Sequence, residues 1–310
     1  MKESYLAIDI GGTEIKYALI DDEMTILKHG IVPCMTDSMD HLLEPLLAIQ
    51  KELHDQYGGV AVAMPGRIDT ANGIAHTGGS YTFIHNEPMG KVLENIFKVP
   101  VTVANDGKCA ANAELVSGAL KGVSSGIVLV IGTGLGGGVI VNGQVWLGST
   151  FGAGEFSVMP TNLEEFYHYH YQGNEYTPPV WARDYASSSL VKKYCEKKNI
   201  VDISTVNGRI FFDAYEAGDS DAEEIFHSFC EGIAAGIFSI QSVLDVEKVA
   251  IGGGISARDE VTEGIRSAVN YAFRNEPFLP FGKPEIVKCR YGNDANLLGA
   301  LQFHLAKTQK

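Results

Sequence analysis

Two glycine-centred hairpins constrain this chain more than any other feature. The stretch "YLAIDIGGTEIKYALID" reads as two strands rich in β-branched and aromatic residues. They are joined at Gly11 and Gly12, where positive φ costs least. About 120 residues further on, "GIVLVIGTGLGGGVIVNGQVW" repeats the plan of apolar strand, glycine turn and apolar strand. A duplicated design is expected, with one hairpin opening each half.

The second hairpin also contains Gly132, Gly134 and Gly137 at the spacing GxGxxG. A dinucleotide fingerprint needs those glycines to open a helix whose N-terminus meets a pyrophosphate. Here the following "GGGVIVNGQVW" is β-branched, and Asn142-Gly143 signals another tight turn, so a strand follows and the fingerprint fails. A Walker A loop is absent too, because no Gly-Lys pair (Gly90-Lys91, Gly107-Lys108, Gly282-Lys283) is followed by Ser or Thr. Two facing glycine hairpins can nevertheless aim backbone N–H groups and Thr hydroxyls at an anion from both sides.

Between the hairpins, strands alternate with helices. A helical stretch "MDHLLEPLLAIQKELHDQY" precedes the strand "GVAVAMPG", and the helix "MGKVLENIF" leads to the strand "VPVTVAND" and a small-residue helix "GKCAANAELVSGAL". A third glycine cluster, Gly252 to Gly254, ends a strand before a polar helix start at Ser256, and the final helix takes Asn293 or Asp294 as its N-cap. With 310 residues there is room for two domains and a sizeable core. The balance of 24 basic and 38 acidic side chains, net −14, opposes nucleic acid and anionic membranes as partners. Cys34, Cys109, Cys195, Cys230 and Cys289 are odd in number, scattered and without a CxxC pair, which fits reduced thiols in a cytoplasm. No apolar run approaches the roughly 20 residues that span a bilayer, and the start shows no sign of export.

Taken in order, "AIDIGGTEIKYALID", "VANDGKCAANAE", "IGTGLGGGVIVNG", "GAGEF", "IGGGIS" and "NDANLLGAL" resemble the ROK family of sugar kinases over nearly the whole chain. The resemblance implies the two-lobed α/β fold of actin, hexokinase and Hsp70 (ribonuclease H-like), with ATP in the interlobe cleft. By analogy a small lobe spans residues 1–118 and takes back a C-terminal helix at about 294–310, and a large lobe spans 119–293. It further implies ATP and Mg²⁺ as cofactors, a sugar or glycoside substrate and a homodimer.

Asp106 follows the strand "VTVAN", at the sheet end where α/β crevices open. The resemblance makes it the general base, with Asn105 bonding sugar hydroxyls; taken alone, the pair reads as a helix cap. Asp9 lies within an apolar strand where an unpaired carboxylate is costly. By resemblance it sits near the phosphates and Mg²⁺, through water; turn N–H groups are the plainer way to satisfy it. Gly11, Gly12 and Thr13 would form one phosphate loop and Gly132, Thr133 and Gly134 a second. Lys16 is either a nearby cation or simply solvated. Gly253 and Gly254 would lie against adenine or ribose, or else form a tight strand-to-helix turn. Glu155 and the backbone of Gly66 would meet the sugar, although Glu155 by itself reads as a surface acid.

The chain departs from the family after "GAGEF". Val158 stands where a His is usual, and no Cys lies between Cys109 and Cys195, so no zinc is expected. "YHYHYQGNEY" offers His168 and His170, but without thiolates an aromatic loop is the better reading, packed through Phe166, Tyr167, Tyr169, Tyr171, Tyr176 and Trp181. Arg183 aligns with a family Glu that contacts hydroxyls near the anomeric carbon, and the Pro-Asn pair usual near Gly79 and Ser80 is missing. Losing contacts to a free reducing end relaxes the demand for one. The expected reaction is phosphorylation of the 6-hydroxyl of a glucose unit, including one in a β-glucoside; a glucokinase, fructokinase or N-acylmannosamine kinase is the alternative. A ROK transcriptional regulator is disfavoured by the few residues before the first strand, and a noncatalytic nucleotide switch by Asn105-Asp106 and Glu155.

Overall fold

A computed structural model describes residues 4–172, 178–274 and 278–308. The strands are Ser4–Ile10 (β1), Glu14–Asp21 (β2), Ile26–Pro33 (β3), Gly59–Met64 (β4), Ile68–Asp69 (β5), Ile74–Ala75 (β6), Val101–Asn105 (β7), Gly126–Ile131 (β8), Leu135–Val141 (β9), Gln144–Trp146 (β10), Lys248–Gly252 (β11) and Glu285–Lys288 (β12). The helices are Met39–Glu52 (α1), Met89–Phe97 (α2), Asp106–Ser117 (α3), Leu163–Gln172 (α4), Trp181–Tyr185 (α5), Ser187–Lys198 (α6), Gly208–Glu216 (α7), Ser220–Leu244 (α8), Asp259–Phe273 (α9) and Ala295–Thr308 (α10).

The duplication is real. One five-stranded sheet has the order β3-β2-β1-β4-β7 and the other β10-β9-β8-β11-β12. In each, an antiparallel hairpin (β1–β2, β8–β9) carries one further antiparallel strand on its outer edge and two parallel strands on the other side. Parallel neighbours need helical crossovers, which is why helical periodicity separates β4 from β7 and β11 from β12. This is the two-lobed α/β plan expected of the sequence.

Three apolar cores hold the chain. One lies under β1, β2 and β4 against α1 and α2, around Leu6, Ile8, Leu42, Leu46 and Leu93. A second joins β8 and β11 to α8 and α9, around Ile127, Leu129, Phe229, Ile233 and Ile265. The third is made of small residues from both sheets together with α3 and α10, such as Ala7, Ala61, Val128, Ala250, Ala111 and Ala300. Here backbones approach closely: a Cβ on Gly107 would meet the Gly137 backbone, and one on Gly299 would meet Cys109. That explains why α3 is built from Ala and Gly rather than from an amphipathic stripe.

Several local expectations need correction. The first turn needs no left-handed backbone, since neither Gly11 nor Gly12 has positive φ. A third strand, β3, extends the first sheet; its burial alternates weakly along an edge, so its sequence carries little signal. The polar segment after Gly254 begins as a 3₁₀ turn, Gly254–Ala257, and the helix starts at Asp259. The segment taken for an aromatic loop contains α4. Along it Tyr167 is exposed and Phe166 and Tyr169 are half-buried, whereas Trp181 is buried against Phe156. Tyr176 and the side chains of His170 and Tyr171 lie outside the described residues.

Candidate active site

Strand β7 ends at Asn105 and α3 begins at Asp106, so the sheet itself delivers this pair to the cleft. Asn105 caps α3 by accepting from the Lys108 N–H at 3.1 Å. Its amide donates to the Gly66 carbonyl and to Asp106 Oδ1, each at 2.9 Å. Asp106 Oδ1 also accepts from the Gly107 N–H at 2.8 Å. The cap reading therefore holds, and the same Asn105 also fixes the Asp106 carboxylate. Burial pushes the Asp106 carboxyl above its usual range; the nearby Glu155 adds to this, while the Gly107 N–H, Lys108 and Asn105 oppose it.

Asp106 opens onto a cavity of about 530 Å³ whose walls include Gly66, Asn105, Glu155, Gly132 and Gly134. Gly66 has φ of +100°, and a Cβ there would collide with the Thr77 carbonyl, so only glycine lets the two loops touch. Glu155 faces this space while pairing with Lys108, whose side chain is 1% exposed against 42% for Glu155. Arg67 and Thr77 complete the wall. The volume lies within the range of small-ligand sites.

A second cavity of about 170 Å³ adjoins the first, sharing Gly132 and Asn296, and holds Asp9, Lys16, Gly253 and Gly254. Asp9 accepts from Asn296 Nδ2 at 3.1 Å and pairs across β1–β2 with Lys16. Burial raises its pKa to about 6; Asn296 and Lys16 pull it down, and Asp106 and Glu14 push it up. A third space of about 570 Å³ is lined by Gly132, Thr133, Gly254, Phe212, Arg209 and Arg258. Gly132 borders all three. No Cβ contact would be met at Gly134 or Gly254, so these glycines leave open room.

The structure therefore brings together Asp9, Lys16, Gly66, Asn105, Asp106, Gly132, Thr133, Gly134, Glu155, Gly253 and Gly254. Gly11, Gly12 and Thr13 stand outside these walls. Their turn is tied instead to the next loop: the Tyr81 hydroxyl donates to the Gly11 carbonyl at 2.6 Å, and the Cys34 N–H to the Thr13 carbonyl at 3.1 Å. Arg183 is engaged with Glu165 at 3.0 Å and Asp184 at 2.7 Å and is not part of the wall of the 530 Å³ cavity. Sequence reasoning missed Asn296, Lys108, and the pair Ser187 and Ser188, whose hydroxyls hold the Gly132 and Thr133 carbonyls at 2.7 and 2.8 Å. "NDANLLGAL" had counted only as a motif of the resemblance and as a helix cap, with no role for Asn296, and a lysine after Asp-Gly reads as solvated.

The donor set suits an anion and a hard cation. Asp9 is a nearly buried carboxylate, 9% exposed, beside glycines that expose N–H groups. One carboxylate with room for water is a set Mg²⁺ accepts. Among the described residues no group of three or more His, Cys, Asp or Glu could hold a metal ion, and no helix is long and apolar enough to cross a membrane.

Known proteins resemble the chain throughout. A protein of Clostridium perfringens is 33% identical over 268 residues, covering 83% of each chain. A beta-glucoside kinase of Klebsiella pneumoniae is 28% identical over 297 residues, covering 95% of this chain and 94% of its own. The crystal structure of a ROK family protein from Streptococcus pneumoniae in complex with sucrose superposes with a TM-score of 0.83 at 28% identity, covering 99% and 100% of the two chains. The ROK family model matches residues 5–308, and the chain belongs to that family.

Proposed function

We propose that the protein is an ATP-dependent sugar kinase that phosphorylates the 6-hydroxyl of a glucose unit, including one substituted at its first carbon. The observation that carries this reading is Asp106, fixed by Asn105 and Gly107 at the wall of the 530 Å³ cavity, with the Asp9 cavity adjoining through Gly132. The lobes are residues 1–118 with 294–310, and 119–293. The packing of α10 on α3, β4 and β1 supports returning the last helix to the first lobe.

In this reading Asp106 accepts the proton of the attacking hydroxyl as its oxygen bonds to the γ-phosphorus and the bond to ADP breaks. Its raised pKa makes it a better proton acceptor than a solvated carboxylate. Asn105 fixes its orientation and offers remaining acceptor capacity on Oδ1 to a sugar hydroxyl. Glu155 and the Gly66 backbone contact the sugar. The Thr133 and Gly134 N–H groups serve the phosphates, with Lys16 adding charge beside Asp9, and the Gly12 and Thr13 N–H groups of the first turn extend this anion site beyond the cavity walls; the Gly11 and Gly132 N–H groups are spent within their own turns. Gly253 and Gly254 admit the nucleoside. Asp9 would hold Mg²⁺, through water, and the ion would supply neutralisation of charge on the phosphate oxygens.

The glycoside reading rests on what lies near the sugar. Arg183 stands where the family has a hydroxyl-binding Glu, and it is taken up by Glu165 and Asp184. The beta-glucoside kinase relative and the sucrose complex, a non-reducing disaccharide, point the same way. Steady-state kinetics test it: kcat/KM for cellobiose or methyl β-glucoside should at least match that for glucose. A preference for a free hexose of about a hundredfold or more, already beyond what an extra methylene typically costs, overturns the glycoside part and leaves a free-hexose kinase.

A further inference from the structure

Lys108 is the buried charge that the proposed mechanism leaves unused. It lies two residues after Asp106 on α3, its side chain is 1% exposed, and its ammonium reaches Glu155 across the base of the sugar cavity. A lysine is buried this deeply only when paired, because an isolated ammonium loses far too much hydration. The pairing is lopsided, since Glu155 keeps 42% of its side chain exposed to the cavity. Glu155 is a hydrated acid that could stand alone, whereas Lys108 could not. The lysine is therefore retained for what it does to its neighbours.

We infer that Lys108 is a positioning residue, the buried counter-ion shared by the two carboxylates of one cavity, the base Asp106 and the sugar-facing Glu155. The inference rests on the sugar-kinase reading of the site. Without the cation, Glu155 would act on Asp106 as an uncompensated like charge and would be free to turn away from the sugar. With it, Glu155 is held facing the sugar hydroxyls, and the upward push of Glu155 on the Asp106 carboxyl is opposed by the lysine charge. The titratable groups facing Asp106 are Glu155 and Lys108, of opposite effect, and Asp9 on β1 and the buried Cys109 on α3, both of which feel Asp106 in turn. Lys16, on β2, acts on Asp9. Glu114, lower on α3, accepts from the Arg290 and Tyr291 N–H groups on the far side.

The test is the acid limb of the kcat/KM profile, read in variants that still phosphorylate sugar. Lys108→Met should move the limb to higher pH by about one unit, the size of a close-charge effect. It should raise the sugar KM several-fold and leave the ATP KM within twofold. Glu155→Gln should move the limb the other way, because Lys108 then acts on Asp106 alone, and the double variant should fall between the two. Limbs that stay in place, or that move together, overturn the inference. If Lys108→Met fails to fold, the double variant read against Glu155→Gln decides: its limb should lie at higher pH, and coincident limbs overturn the inference. An inactive parent would instead sink the kinase reading, so the two failures are distinguishable.

Discussion

Asp9 and Asn296 stand at opposite ends of the chain, yet the Asn296 amide donates to Asp9 Oδ1 at 3.1 Å. The contact joins the first strand to the last helix at the floor of the cleft. It is one of the few bonds offsetting the burial of Asp9, whose pKa lies at about 6.

The sign of that shift yields a prediction. Burial penalises the ionised form, so folding loses stability as pH rises from about 4 to 6, and the full penalty applies at pH 7. Two pKa units correspond to about 3 kcal/mol. Asp9→Asn should therefore melt higher than the parent at pH 7 and alike at pH 4 in the absence of Mg²⁺, while half-saturating Mg²⁺ rises about 10- to 100-fold. A lower melting temperature at pH 7 would show that the carboxylate is satisfied in its ionised form.

Asp106→Asn removes the base and keeps its shape. The expected loss in kcat is about 10² to 10⁴, with sugar and nucleotide dissociation constants near those of the parent. In the parent the acid limb of kcat/KM should sit above the ordinary carboxylate range, in the direction that burial imposes. The variant's residual activity should lack that limb; turnover at more than half the parent rate is incompatible with the assigned role.

The two neighbouring glycines should separate folding from ligand space. Gly253 has φ of +87°, and a Cβ would strike the Ile131 carbonyl, so Gly253→Ala is expected to destabilise by about 1–3 kcal/mol. Gly254 meets nothing within 4 Å. Gly254→Ala should keep the parent melting temperature and raise the ATP KM. Calorimetry and kinetics on the pair would contradict this if both changes acted on stability alone.

The segment before α5 should need no zinc. Trp181 packs on Phe156, and a Cβ on Gly236 would overlap its ring, so the indole itself anchors this stretch to α8. The purified protein should hold no stoichiometric zinc and keep its melting temperature in chelator, whereas Trp181→Ala should cost about 3–5 kcal/mol. One zinc per chain by elemental analysis would refute it.

Much of the architecture was legible because both hairpins carry near-continuous apolar strands, rich in β-branched residues and broken by glycines. The cleft residues were legible where a motif repeats a chemical need, as with Asn105-Asp106 and the Gly132 turn. Elsewhere burial decided. β3 shows little alternation because it lies at a sheet edge, and α4 concealed its helix behind aromatic residues of modest helix propensity. Lys108 is indistinguishable in sequence from a surface lysine, since nothing local announces that Glu155 will fold over it. The glycines at 11 and 12 suggested a strained turn, whereas the chain there keeps ordinary φ and is pinned by Tyr81.

The small-residue helix α3 touches strands of both sheets, β4 and β7 on one side and β8, β9 and β10 on the other, with α10 laid along it. With Gly107 against Gly137 and Gly299 against Cys109, there is no side-chain padding in which it could slide. The helix is thus a wedge seated backbone to backbone between the two sheets. Asp106 is its first residue. The carboxylate that Asn105 holds at the cavity wall is therefore carried by an element that both sheets grip.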